Sequence, residues 1–283
     1  MGRIRPLQDF AKHKSWDIVL MFMNKKIKLQ IASDLHLEFQ DNKKWIEENP
    51  LIPGGDILLL AGDIVVDKYK EKAGKFLEAV ERDFSNVISV MGNHEFYHGD
   101  VSYAYPSYFK QITERHVKLN NKSIIINGIK FIVSVLWSNV LPEHTAKVWD
   151  TMNDYKLIST KDAYGMKTPL TVGATNKYHQ ISLEFIKEEL SKPFDGKVVV
   201  MTHHLPSYRL IDPKRAGDPV NCAFATDLDE FIESNPQIAL WVCGHSHEFA
   251  DVIIRSTRVV ANPLGYVCEN EHQRFRRDFW VEV

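Results

Sequence analysis

Apolar residues along the chain gather in short runs, and most runs stop abruptly at a glycine or a polar residue. Residues 27–32 alternate apolar and polar positions, the two-residue period of a strand. Asp56-Ile57-Leu58-Leu59-Leu60-Ala61 is apolar at nearly every position, which suits a strand buried on both faces. Residues 70–84 instead space Phe76, Leu77, Val80 and Phe84 at helical intervals, and residues 87–91 return to a strand pattern. Strand, helix, strand alternation predicts a largely parallel sheet. Residues 103–115 are expected to be helical. Residues 123–126 and 129–136 flank Asn127-Gly128, a strong two-residue hairpin signal, so antiparallel strands enter in mid-chain.

Residues 138–176 lack a clear period and are rich in Asn, Asp, Thr, Gly and Pro. They are expected to form a long loop acting as a lid or substrate wall. Residues 178–190 resume helical spacing through Ile181, Phe185, Ile186 and Leu190, and His179 is expected to cap that helix or lie on its surface. Residues 197–201 and 238–243 read as two more buried strands, and 252–254, 259–260 and 279–283 as finishing ones. Residues 1–26 precede the first clear strand and read as an extension, within which 16–22 suit an extra strand or a helical turn. The rest, 27–283, is expected to be a single domain, because its candidate chemistry is spread from residue 34 to residue 247.

Composition adds bounds. The chain has 283 residues, 44% hydrophobic and 25% charged, ordinary values for a globular protein. A net charge of −2 provides no global field for nucleic acid or an anionic membrane. Three cysteines, Cys222, Cys243 and Cys268, form no paired motif and fit a reducing compartment. No run approaches the ~20 apolar residues of a membrane span. The run 18–23 is too short for one and lacks a small-residue cleavage site after it, so a cytoplasmic protein is expected.

Candidate chemistry sits where the strands end. Residues 27–32 lead into Asp34-Leu35-His36, 56–61 into Gly62-Asp63, and 87–91 into Gly92-Asn93-His94-Glu95. Residues 197–201 lead into Thr202-His203-His204, and 238–243 into Gly244-His245-Ser246-His247. In parallel sheets, ligands collect at the carboxyl ends of strands. Each group alone is a plausible turn or capping residue, and their joint occurrence at matching strand ends is what points to a site. Asp34, His36, Asp63, Asn93, His203, His245 and His247 offer two carboxylates, one amide and four imidazoles. Such an oxygen and nitrogen set suits Mn²⁺, Fe²⁺ or Zn²⁺ rather than Ca²⁺ or a structural cysteine-bound zinc. Seven groups exceed one tetrahedral site and suit two ions bridged by a carboxylate.

In order and type, the blocks Asp34-x-His36, Gly62-Asp63, Gly92-Asn93-His94-Glu95, His203 and Gly244-His245-x-His247 resemble the calcineurin-like metallophosphoesterase superfamily. The resemblance implies an α/β (α+β) sandwich of four layers, two mixed β-sheets flanked by helices, with two divalent metal ions at one edge. It implies a first ion on Asp34, His36 and His247, a second on Asn93, His203 and His245, and Asp63 bridging. It further implies a phosphoester hydrolase, a phosphodiesterase or phosphatase, in which a metal-bridged hydroxide attacks phosphorus. His94 then protonates the leaving oxygen as general acid. Glu95 orients neighbouring groups or is structural. His204 and Arg209 are the candidate substrate contacts, although for Arg209, Lys214 and Arg215 a solvated loop face is favoured over a phosphate contact. The expected partner is a small or nucleotide-like phosphoester, with no membrane. Near-zero charge and no accessory basic segment count against a nuclease. A non-catalytic scaffold with the same fold is the other alternative, and it would be expected to lack some of these ligands.

Overall fold

The computed structural model describes residues 26–283; the expected extension, including residues 16–22, falls outside them apart from Lys26. The first half builds β1 (Lys28–Ala32), α1 (Gln40–Glu48), β2 (Ile57–Ala61), α2 (Gly74–Asp83), β3 (Asn86–Val90), β4 (Tyr108–Gln111) and β5 (His116–Asn120). The hairpin β6 (Lys122–Ile126) and β7 (Ile129–Ser134) turns at Asn127-Gly128, both with positive φ as that turn requires. Two short helices, α3 (Thr145–Thr151) and α4 (Asp154–Leu157), precede the small hairpin β8 (Ser159–Lys161) and β9 (Lys167–Pro169). Then come α5 (Val172–Ser191), β10 (Lys197–Thr202), α6 (Asp229–Glu233), β11 (Ile238–Cys243), β12 (Ala250–Ile254), β13 (Thr257–Ala261) and β14 (Trp280–Glu282).

Two six-stranded mixed sheets result, of order β14-β1-β2-β3-β5-β4 and β12-β13-β11-β10-β7-β6. The inner strands of each run parallel, and antiparallel strands close the edges. Period-two alternation decides the layering. In β2, Ile57 and Leu59 enter the core shared by both sheets, with Phe131, Val133, Met201 and Val242. Leu58 and Leu60 point the other way, to Ile46 of α1 and Phe76 and Val80 of α2. On the far side of the second sheet, Val198, Val200 and Trp241 pack with Ile186 of α5 and Ile232 of α6. The four-layer sandwich is therefore helices, sheet, sheet, helices.

Three sequence expectations need correction. Residues 103–115 hold no α-helix; Pro106 lacks an N–H and holds Tyr105 extended (φ −122, ψ 146), and edge pairing to β5 makes 108–111 a strand. Residues 138–176 are not one loop, because α3, α4 and the β8–β9 hairpin are too short for a period to show. Helix α5 begins at Val172 rather than 178, capped by Thr171, whose side chain accepts from the Ala174 N–H. No described helix is long and apolar enough to cross a membrane, and the three cysteines are unpaired.

Candidate metal centre

The ends of β1, β2, β3, β10 and β11 meet where the two sheets face each other. Backbone bonds stitch them together: Asp34 N–H to Gly62 C=O (2.9 Å), His36 N–H to Asp63 C=O (2.9 Å) and Gly244 N–H to His203 C=O (2.9 Å). The Asp34 carboxylate accepts from the His245 N–H at 2.9 Å, tying the first sheet to the second. Glycines make this closeness possible. A Cβ on Gly62 would run into the His203 ring, and one on Gly92 into the Asp63 carboxylate.

Asp34, His36, Asp63, His245 and His247 all take left-handed backbone conformations, with φ between 47 and 70. Non-glycine residues held there cost about 1–3 kcal/mol each, and such positions cluster at functional sites.

This backbone brings the predicted ligand residues into two groups. Ligand atoms of Asp34, His36 and His247 lie within 4.8 Å of one another, and so do those of Asp63, His203 and His245. Asn93 Oδ1 joins the second group, 3.0 Å from His203 Nε2. Asp63 Oδ2 stands between the groups, 3.8 Å from His36 Nε2 and 3.4 Å from His203 Nε2. These donors fit divalent cations. His245 Nε2 is buried without a hydrogen-bond partner, and the Nε2 atoms of His36 and His247 face each other at 3.0 Å. Such convergence of lone-pair donors with no sulfur is the chemistry of a borderline divalent ion.

Around them, other side chains fix each ligand's orientation. His203 Nδ1 donates to the Ala61 carbonyl (2.9 Å), which turns Nε2 inward. His247 Nδ1 donates to Glu271 (2.7 Å), and Asn93 Nδ2 donates to Asp154 (2.7 Å). Glu38 accepts from Nδ1 of both His36 (3.2 Å) and His94 (2.9 Å). His94 Nε2 is 3.4 Å from the Tyr266 hydroxyl, and its ring stacks on Tyr97. Glu95, buried, accepts from the N–H groups of Asp63, Ile64 and Gly92, so it shapes the loop that carries Asp63.

Charge follows this wiring. Burial opposes ionisation of Asp63, but His203, His94 and His36 outweigh it and lower its pKa well below the usual value. Burial likewise would raise Glu38, yet His36 and His94 draw it down to about 2. For His94, burial works against the proton, and Asp63, Glu38 and Asp154 overcome it and hold the imidazole at about 9. Burial dominates at Glu95, pushed up to about 7, and at His36, His204 and His245, all lowered.

His204 packs against His245 with ring centres 4.1 Å apart and the planes tilted by 39°, and its buried Nδ1 has no hydrogen-bond partner. Arg209 is half exposed, with Nε 2.7 Å from Asp229. Arg215 lies over the Phe224 ring. His179 is neither cap nor surface residue: it is buried and bonded to the Trp137 carbonyl at 3.0 Å. Sequence reasoning missed Glu38, Asp154, Glu271 and Tyr266. Glu38 continues the alternation Asp34-x-His36-x-Glu38 and was findable, whereas the others are far from their partners along the chain.

A family model described as calcineurin-like phosphoesterase matches residues 27–249. An uncharacterized protein of Acanthamoeba polyphaga mimivirus is 28% identical over 280 residues, covering 90% of this chain and 96% of its own. Among solved structures, the phosphopantetheinyl hydrolase of Mycobacterium tuberculosis superposes with a TM-score of 0.63 at 18% identity, over 91% of this chain and 96% of that one. A dimetal phosphatase from Danio rerio has a TM-score of 0.40 at 13% identity, over 83% of this chain and 86% of its own.

Proposed function

The chain belongs to the calcineurin-like phosphoesterases, and from that premise we propose that it hydrolyses a small or nucleotide-like phosphoester, as a phosphodiesterase or phosphatase. The observation that carries this reading is the pair of ligand groups with Asp63 between them. Asp34, His36 and His247 would hold one divalent cation, Asn93, His203 and His245 a second, and Asp63 both. Bound there, Mn²⁺, Fe²⁺ or Zn²⁺ would supply Lewis acidity toward phosphoryl oxygens and lower the pKa of water.

The chain's own groups do the rest. His94 gives the Nε2 proton to the leaving oxygen, while its Nδ1–H stays on Glu38 and keeps the ring in place. Asp154 holds the Asn93 amide so that its oxygen faces the cluster. His204, whose ring lies beside that of His245, is the candidate side chain on the substrate side of the second group. Arg209 reaches a phosphate only by leaving Asp229, and an exposed pair of this kind is worth at most about 1 kcal/mol. We read residues 27–283 as one unit, since each ligand group draws on both sheets.

The test is a matrix of metals against substrates: aryl monoesters, cyclic nucleotides, and diesters including a phosphopantetheinyl ester. Turnover of at least one class with Mn²⁺, Fe²⁺ or Zn²⁺ is expected. Silence across every metal would favour a non-catalytic scaffold, and turnover restricted to polynucleotides would favour a nuclease.

A further inference from the structure

Tyr266 lies in the loop after β13, and a backbone bond ties that loop to the end of β1: the Gly265 N–H donates to the Asp34 carbonyl at 3.1 Å. The Tyr266 N–H donates to Glu271 at 2.6 Å, the carboxylate that also accepts from His247 Nδ1. Its ring rests against those of His36 and His247, with centres 4.8 and 4.6 Å away, and Phe39 meets it edge to face. Held in this way, the ring carries its hydroxyl to 3.4 Å from His94 Nε2.

We propose that Tyr266 is a further catalytic residue, whose hydroxyl donates a hydrogen bond to the leaving oxygen beside His94; this rests on the reading of His94 as the acid. Two observations carry it. As the acid, His94 has hydrogens on both ring nitrogens, with Nδ1–H engaged by Glu38 at 2.9 Å and Nε2–H facing Tyr266. The phenol oxygen can only accept from that hydrogen, which leaves its own hydrogen free to donate. Among the described residues the hydroxyl has no other hydrogen-bond partner, and Tyr266 is half-buried rather than enclosed.

The second observation is the spacing. At 3.4 Å the two atoms are too far apart for a strong bond to each other. An oxygen about 2.8 Å from each completes a triangle with them, so one leaving oxygen can accept from both. As its bond to phosphorus breaks, that oxygen takes the Nε2 proton and departs as the alcohol, while phosphorus keeps the oxygen of water. The proton that water gave up restores His94, and Tyr266 keeps its hydrogen throughout. A donor aimed where negative charge develops matters most for a basic alkoxide and least for nitrophenolate.

Tyr266→Phe is the test, because it removes the oxygen and keeps the ring on His36 and His247. With Mn²⁺, turnover of an alkyl phosphoester is expected to fall about tenfold or more, and that of a nitrophenyl ester by no more than about twofold, at unchanged metal content. Vanadate, whose apical oxygen mimics the leaving oxygen, gives a readout that needs no turnover. Calorimetry should find it bound about five- to tenfold more weakly by Tyr266→Phe, both alone and in a His94→Ala background. Equal losses with the two esters, no loss with either, or vanadate affinity unchanged in the His94→Ala background would overturn the direct contact. Selective loss in His94→Ala but not in Tyr266→Phe overturns this inference alone. Equal losses in His94→Ala, or silence of the wild type toward every ester, overturn the reading beneath it as well.

Discussion

The strand-end cluster and the row of Ser89, His116 and Lys118 both bury polar groups on the first sheet, but they present them by different means. Ser89, His116 and Lys118 sit within regular strands and share a face through ordinary two-residue alternation. That geometry offers a flat row of side chains at no backbone cost. Asp34, His36 and Asp63 lie just past the strands, and with His245 and His247 they depart into the left-handed region. Together with Asn93 and His203, which keep ordinary backbone, these departures let side chains from both sheets converge on a point. A row can line a pocket, whereas a point can hold an ion.

Substitutions can break or sharpen this contrast. The largest effect is expected for Asp63→Asn, which removes the charge placed between the two ligand groups. Metal content should fall and hydrolysis should drop by more than about a hundredfold, past the range for residues that only orient ligands. Elemental analysis finding two ions still bound would remove Asp63 from its bridging place. Next, His94→Ala should cost about 10²–10⁴-fold with an alkoxide leaving group and clearly less with nitrophenolate. Equal losses for both leaving groups would mean that His94 does not protonate the leaving oxygen. Asp154→Ala frees the Asn93 amide and should weaken metal affinity or rate by about 10–100-fold, read by metal titration; an unchanged affinity would show that Asn93 needs no such anchor.

The last change is in stability rather than activity, and it belongs to the row of Ser89, His116 and Lys118. Burial, aided by Lys118, lowers His116 to about 4, against about 6.5 for a free imidazole. Between those values the unfolded chain binds the proton and the folded chain does not. Stability from this residue is therefore complete above pH ~6.5 and is lost as pH falls toward ~4, by up to about 3 kcal/mol. Denaturant midpoints for wild type and His116→Asn should converge as pH drops through that window, and parallel curves would contradict the assignment.

The same contrast explains what could be read in advance. Strands such as residues 238–243 announce themselves by uninterrupted apolar runs, and the candidate ligand residues follow directly, so position in the chain stood in for position in space. His203 could be preferred to His204 because it comes first after the strand, and its Nε2 faces Asn93 and Asp63. That shortcut fails for partners contributed by other loops. Asp154 lies 61 residues from Asn93, and Glu271 lies 24 from His247, with no pattern linking either pair. It also fails where tertiary pairing overrides local preference, as at residues 108–111, an edge strand read as helix.

The left-handed residues of the cluster also bear on how such a chain would age across generations. At Asp34, His36, Asp63, His245 and His247, glycine would relieve strain of about 1 kcal/mol or more per site. Against that relief stand the bonds these side chains make: the Asp34 carboxylate accepts from the His245 N–H, and the Asp63 carboxylate from the His94 N–H. A duplicate copy released from its reaction would therefore keep part of the cluster for stability alone.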